Sequence, residues 1–130
     1  MILDTTFLID LMEKDEGAAV RKQKLDDKAE ICRASAATIF ELWAGIFMSK
    51  KTENEKRKVL NALSEVDIIS LSGRISEKAG ELHGLLKKDG KDIGPIDSMI
   101  AATAILENEP ILTRNIKHFA RVKGLTMESY

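Results

Sequence analysis

The sequence has one cysteine, Cys32, and only two prolines in 130 residues, and aromatic residues make up 5% of it. A single cysteine cannot form an internal disulfide, which fits a reducing compartment and predicts a cytoplasmic protein. There is no basic and apolar leader, because an acid already stands at position 4. The longest apolar-rich run, Ala36 to Met48, contains Glu41 and is too short to span a bilayer. We therefore expect no membrane association.

An excess of charge of one sign is also absent, because 20 basic residues nearly balance 21 acidic ones and the formal net charge is −1. Overall charge does not indicate a nucleic-acid-binding protein, so any basic surface has to be local. The length suits one domain with one core, and a hydrophobic fraction of 44% is typical of soluble globular proteins. No internal repeat or low-complexity segment divides the chain, and we expect a single domain over residues 1–130.

What the sequence does contain is an alternation of short apolar runs with longer amphipathic stretches. Strands are predicted at about residues 1–4, 29–34, 66–71, 111–113 and 124–127. Helices are predicted at about residues 5–13, 17–28, 36–49, 52–64, 72–88 and 95–106, with a short one after residue 115. Strands that are separated by helices throughout predict an α/β fold, with helices on both faces of a central, mostly parallel sheet.

Local patterns also predict helix caps and buried faces. Thr5 or Thr6 is expected to cap the first helix, Ser35 the helix at 36–49, and Asn115 the last short helix. Ile31 is expected to point inward from the second strand. The other expected inward residues are Ile39, Trp43, Ile46 and Phe47 in the helix at 36–49, and Val59, Leu60 and Leu63 in the next.

Three acids stand where the surrounding sequence would not favour a charge. Asp4 follows the first strand, Glu41 lies within an apolar helix, and Asp97 lies in the first turn of the most apolar helix. Each has an ordinary explanation, namely a helix cap for Asp4, a core ion pair for Glu41 and a favourable helix dipole for Asp97. Brought together, the three carboxylates would repel one another unless a cation lay between them. All-oxygen ligands predict Mg²⁺ or Mn²⁺. Small residues that leave room for such an ion share the helix face of Glu41: Ala37, Thr38, Ala44 and Gly45.

Four short segments stand in a particular order along the chain: ILDTTFLID from residue 2, TIFEL from residue 38, IDSMIAA from residue 96 and ILTRN from residue 111. In order and spacing they resemble the PIN-domain family, and in particular VapC-type toxin ribonucleases. The resemblance implies a PIN-like α/β/α sandwich with four to five short strands. It also implies Mg²⁺- or Mn²⁺-dependent cleavage of RNA.

The resemblance also assigns residues to the site. Asp4, Glu41 and Asp97 match the family's catalytic and metal-binding acids. Thr6 matches a polar residue that assists the first acid, and Thr113 is expected to give further polar support.

There is one departure from the family pattern, because a fourth acid often follows the fourth strand. The candidate positions here carry Asn115 and His118. Asn115 can hold a metal-bound water by hydrogen bonding. We therefore expect one well-held metal ion, and a second only when a substrate phosphate contributes ligands.

Basic residues are concentrated after the fourth strand, where residues 110–127 contain no acid. Arg114 and Lys117 follow that strand directly, and we expect them to contact RNA phosphates. A solvated helix face is the other interpretation.

Partners follow from the resemblance alone. It implies a homodimer, and a small antitoxin that lays a helix or an extended tail into a groove near the active site. The apolar surplus of residues 36–63, which includes Phe40, Trp43 and Phe47, is a candidate for that groove, and burial in the core is the alternative.

Two other functions compete with the ribonuclease. A haloacid-dehalogenase-like phosphatase also begins with a strand and an Asp, but it needs a second Asp where this chain has Thr6, and it gives Glu41 no role. A catalytically weak or inactive PIN domain could instead serve as an RNA-binding or protein-interaction module. The three retained acids favour the enzyme.

Overall fold

Five short strands and seven helices alternate along the chain in the computed structural model, which describes residues 1–130. The strands are β1 (Ile2–Leu3), β2 (Arg33–Ser35), β3 (Asp67–Ile69), β4 (Ile111–Leu112) and β5 (Met127–Glu128). The helices are α1 (Thr5–Met12), α2 (Glu16–Asp27), α3 (Ala36–Met48), α4 (Thr52–Ala62), α5 (Gly73–Lys88), α6 (Pro95–Glu107) and α7 (Ile116–Phe119). None of these helices has the length and hydropathy needed to cross a bilayer.

All strand pairs are parallel, and the order across the sheet is β3-β2-β1-β4-β5. The first strand is therefore central, with Ile2 paired to both Arg33 and Ile111. The chain proceeds from β1 to one edge of the sheet and returns through α6 to build the other. The direction of winding thus changes between β1 and β4. In open α/β sheets, ligands bind in the crevice beyond the carboxyl ends of the two strands where this change occurs. The expected α/β sandwich is confirmed.

Each face of the sheet has its own hydrophobic core, because successive residues of a strand point to opposite faces. Ile2 and Ile111 contribute to one core, which also contains apolar side chains of α5 and α6. Leu3 and Leu112 contribute to the other, which also contains apolar side chains of α1, α2 and α4. These four strand residues are fully buried, so the short central strands are held by helices on both sides.

Two expected inward residues are exposed. Ile31 is 66% exposed, since β2 begins at Arg33, four residues later than the apolar pattern suggested, and Ile31 precedes it. In α4 only Val59 is fully buried, whereas Leu60 is 52% exposed. The adjacent residues Val59 and Leu60 were both expected to face inward, although the helix turns neighbouring side chains to different sides.

The inward face of α3 also differs from the expectation. Its buried residues are Ala37, Thr38, Leu42 and Ile46, whereas Phe47 is 69% exposed and Ile39 and Trp43 are partly buried. This helix contacts β2, α1, α4 and α6, and small side chains allow such close approach on several sides. On the small-residue face that carries Glu41, Ala37 and Thr38 are therefore buried and Gly45 is exposed, and part of the bulky stripe points outward.

Helix caps explain how the chain leaves the strands. Ser35 caps α3 as expected, because its Oγ accepts from the Ala37 N–H at 3.1 Å. The cap of α1 is Asp4, and not Thr5 or Thr6, which both lie inside the helix. Asn115 precedes α7 but makes no capping hydrogen bond through its side chain. The Asp4 carboxylate can cap because it stands in extended backbone directly before the first helical N–H groups.

Candidate active site

Asp4 lies at the carboxyl end of the central strand β1 and is only 2% exposed. Its carboxylate accepts three hydrogen bonds, from the Thr5 N–H at 2.8 Å, the Thr6 hydroxyl at 2.6 Å and the Thr113 hydroxyl at 2.7 Å. A buried carboxylate without such partners would be strongly unfavourable. The three donors therefore satisfy the charge and fix its orientation, and the expected support from Thr6 and Thr113 is seen as direct contact.

Glu41 extends from the inward face of α3 and makes no ion pair, so the expected alternative of a core salt bridge is wrong. Its Oε1 instead accepts from the Thr5 hydroxyl at 2.6 Å, and the same hydroxyl lies 3.2 Å from the Thr38 hydroxyl. Thr5 thus binds Asp4 through its backbone and Glu41 through its side chain. Sequence reasoning considered Thr5 only as a cap, although its position directly after the first acid was the available signal.

Asp97 lies in the first turn of α6, which begins at Pro95. Its Oδ2 is 2.9 Å from His118 Nδ1 on α7. The same nitrogen is 3.0 Å from Asn115 Nδ2, and the Asn115 N–H donates to the Thr113 hydroxyl at 2.9 Å. The two residues that stand where relatives can carry a fourth acid are therefore arranged around Asp97 and Thr113.

The electrostatics of Asp97 show that the acids influence one another. The pKa of Asp97 is raised to about 6: burial raises it most, the negative charges of Asp4 and Glu41 also raise it, and His118 acts in the opposite direction. The fold therefore concentrates negative charge at the crevice between β1 and β4. A cation placed there would relieve this repulsion.

The donor chemistry of the site suits a hard divalent cation. Carboxylate and amide oxygens are offered by Asp4, Glu41, Asp97 and Asn115, and such oxygens are what Mg²⁺ and Mn²⁺ prefer. No three His, Cys, Asp or Glu side chains lie close enough to one another to coordinate the same metal ion. Mg²⁺ usually takes only one or two carboxylates and keeps several waters. The arrangement thus fits a hydrated ion held by one or two acids.

The basic residues expected to bind RNA lie at the edge of this crevice. Arg114 follows Thr113 directly, and its side chain is 62% exposed although Nη1 donates to Asp10 Oδ1 at 2.8 Å. Lys117 is exposed on α7 and makes no ion pair. Asp10 is buried and hydrogen-bonded.

The parallel sheet places the chain among the α/β proteins. The acids at the crevice between β1 and β4 make this crevice a candidate metal site. Residues 1–125 match the family model of the PIN domain, and the chain belongs to this family. The chain is 33% identical to Ribonuclease VapC2 of Rickettsia felis, covering 99% of this chain and 96% of that protein. It is 29% identical to the tRNA(fMet)-specific endonuclease VapC of Shigella flexneri, with the same coverage.

Solved structures give the same relationship. The VapBC2 complex of Rickettsia felis, bound to a DNA fragment from its promoter, contains a chain that matches with a TM-score of 0.89 at 31% identity. VapBC-1 of nontypeable Haemophilus influenzae matches with a TM-score of 0.80 at 28% identity. Both matches cover 98% of this chain and 96% of the other. Membership of the PIN-domain family contradicts the phosphatase interpretation, and Thr6, where that chemistry needs an acid, donates to Asp4 instead.

The raised pKa of Asp97 predicts how stability depends on pH without divalent ions. The folded state binds a proton more tightly than the unfolded chain, so the contribution of Asp97 to stability falls as pH rises from 3.8 to about 6. Asp97→Asn should therefore melt at a higher temperature than wild type above pH 6, and the difference should shrink towards pH 4. Thermal unfolding of both proteins in a chelator measures this. A difference that does not change with pH would contradict the assigned repulsion.

Proposed function

We propose that this chain is a Mg²⁺- or Mn²⁺-dependent endoribonuclease and the toxin of a toxin–antitoxin pair. The observation that carries the proposal is the buried Asp4 carboxylate, held by three donors and joined by Glu41 and Asp97 at the crevice. Full-length relatives that are named ribonucleases support the reaction type. Relatives whose structures were solved as toxin–antitoxin complexes support the biological role.

The reaction is hydrolysis of an RNA phosphodiester bond by in-line attack of water. A bound divalent ion would supply a water of lowered pKa and offset charge on the scissile phosphate. Asp4 and Asp97 would hold that ion, with Glu41 binding it directly or through water. One carboxylate, Asp97 or Glu41, would orient the attacking water and take its proton. Asn115 is placed to hydrogen-bond a water beside Asp97.

The alternative of an inactive PIN module is less well supported by the site. An RNA-binding or protein-interaction module has no use for a carboxylate that is buried and held in one orientation by two hydroxyls and an N–H. It also has no use for two further acids whose charges raise the free energy of the ionised site. These features are expected when a cation completes the arrangement.

Substitution of the acids tests the activity. Asp4→Asn and Asp97→Asn should each lower the rate of Mn²⁺- or Mg²⁺-dependent RNA cleavage by at least about a hundredfold, because each removes a charge that the ion and the reacting groups need. Asp27→Asn is a matched control, since Asp27 is exposed and its side chain bonds only to the Gln23 amide. Cleavage of a defined RNA, together with circular dichroism of each variant, measures the effect. Cleavage at the wild-type rate by either site variant would refute the site.

RNA has to be attracted to a crevice that is itself acidic. Arg114 and Lys117 are exposed at its edge, directly after the strand whose Thr113 binds Asp4. We propose that these two residues make the phosphate contacts closest to the reaction.

These contacts predict a salt dependence. Each phosphate contact to single-stranded nucleic acid contributes about 0.7 to the slope of log affinity against log salt. Replacing Arg114 and Lys117 together with glutamine should therefore lower that slope by about 1.4, measured by RNA binding in the Asp97→Asn background. Replacing Lys24 and Lys28, which are exposed near the end of α2, with glutamine removes the same charge elsewhere. Equal slopes for the two double variants would exclude a specific contact.

An exposed apolar strip on α3, formed by Phe40, Trp43 and Phe47, is the candidate site for the antitoxin. Phe40 and Phe47 are 63% and 69% exposed, and the rings of Trp43 and Phe47 are stacked with centroids 6.2 Å apart. Lys56 lies over the Trp43 ring at 5.7 Å. Phe40 directly precedes Glu41, so a partner on this strip would lie beside the active site. We propose that an apolar segment of a small antitoxin covers the strip, and that a second copy of this chain is the competing occupant.

Removal of the two exposed rings tests the strip. Phe40→Ser with Phe47→Ser should abolish co-purification with a small protein encoded directly upstream, because the buried apolar area would be lost. Ile31→Ser removes an equally exposed apolar side chain before the start of β2, whereas α3 follows the end of that strand, and it should leave co-purification intact. Sedimentation of the free chain shows whether the strip holds a homodimer instead. Unchanged co-purification by the double variant would exclude the strip as the antitoxin site.

A further inference from the structure

Asp10 on α1 is a buried carboxylate outside the acid cluster, and the proposed reaction gives it no role. Its side chain is 10% exposed. Its two oxygens have different partners, because Arg114 Nη1 donates to Oδ1 at 2.8 Å and the Tyr130 hydroxyl donates to Oδ2 at 2.7 Å. A buried charge is retained only when its partners compensate the lost hydration. The two donors come from segments far apart in sequence, so Asp10 joins them.

Tyr130 is itself held in place by two contacts. Its ring packs edge-on against Phe7, with centroids 4.9 Å apart and an interplanar angle of 77°. Burial raises the pKa of the Tyr130 phenol, and the hydrogen bond and charge of Asp10 raise it further, so the phenol stays protonated and donates to Asp10. The orientation of Asp10 is therefore fixed from behind by the Tyr130 side chain.

Arg114 is the exposed end of this arrangement. Its guanidinium has five N–H donors, one of which is used by Asp10. The side chain is otherwise 62% exposed and follows Thr113, which binds Asp4. The remaining donors can thus bind a phosphate in the two-pronged manner that a planar guanidinium allows and a lysine does not.

We propose that Asp10 and Tyr130 form a clamp that positions the Arg114 guanidinium for an RNA phosphate beside the acid cluster. The inference rests on the proposed ribonuclease function and assigns two positioning residues to it. A free arginine would lose its rotational freedom on binding RNA, whereas a clamped one has lost it already. The clamp therefore acts on RNA binding and leaves the chemical step unchanged.

A double-mutant cycle tests the clamp. Tyr130→Phe removes only the hydroxyl and keeps the net charge and the contact with Phe7. It should raise KM for a defined RNA about three- to tenfold, as expected for the ordering of one long side chain, with kcat unchanged within about twofold. In an Arg114→Gln background the same substitution should leave KM unchanged, because no guanidinium remains to be positioned.

Two further variants make the outcome decisive. In a Lys117→Gln background, Tyr130→Phe should still raise KM by its full factor, since Lys117 makes no contact with Asp10. Arg114→Lys keeps the charge but not the planar fork, and it should raise KM by a similar several-fold factor.

Several results would overturn the clamp. An equal effect of Tyr130→Phe with and without Arg114, or a loss confined to kcat, would show a general structural role. If Arg114→Lys had the same KM as wild type, only the positive charge at this position would matter and the clamp would be refuted. This test does not depend on the folding of Tyr130→Phe. Absence of RNA cleavage by wild type would instead refute the proposed function, and the clamp with it.

Discussion

The three hydrogen bonds to the Asp4 carboxylate hold together the parts of the fold on which the site depends. They come from Thr5 and Thr6 at the start of α1 and from Thr113 at the end of β4. Asp4 therefore ties the central strand to its neighbour across the switch point and also caps the first helix. The helix cap and the proposed active-site acid, which local sequence presented as alternatives, are one side chain. Moving any of these elements would leave a buried charge without a partner.

The other two acids, Glu41 and Asp97, come to the Asp4 crevice from helices that pack on the sheet. α3 buries Ala37 and Thr38 on the face that carries Glu41, which allows Glu41 to meet the Thr5 hydroxyl, and α6 begins near the same crevice with Asp97 in its first turn. The result is a concentration of negative charge that costs stability, as the raised pKa of Asp97 indicates. Such an arrangement is understandable when stability is given up for binding a cation, since the cation compensates the repulsion. Fold and proposed chemistry thus share one electrostatic explanation.

Much of this could be predicted from the sequence. The order of apolar runs predicted the parallel sheet, and acids in otherwise apolar surroundings identified Asp4, Glu41 and Asp97 as candidates. The outward direction of Phe47 could not be predicted, because a helix that is apolar on most sides does not specify which side is buried. The exposure of Ile31 could not be predicted either, because the apolar pattern did not show that β2 begins only at Arg33. The links from Thr5 to Glu41 and from Asp10 to Arg114 and Tyr130 were also missed. They join residues 36, 104 and 120 positions apart, and only the tertiary fold brings such residues together.

The central claim is that Asp4 and its neighbouring acids form a divalent cation site. Calorimetric titration of the pure protein with Mn²⁺ and Mg²⁺ tests it directly and does not depend on finding the RNA substrate. Binding of one well-held ion per chain is predicted for wild type, with loss of that binding in Asp4→Asn and in Asp97→Asn and its retention in Asp27→Asn. Absence of binding to wild type, or equal binding by all four proteins, would contradict the account.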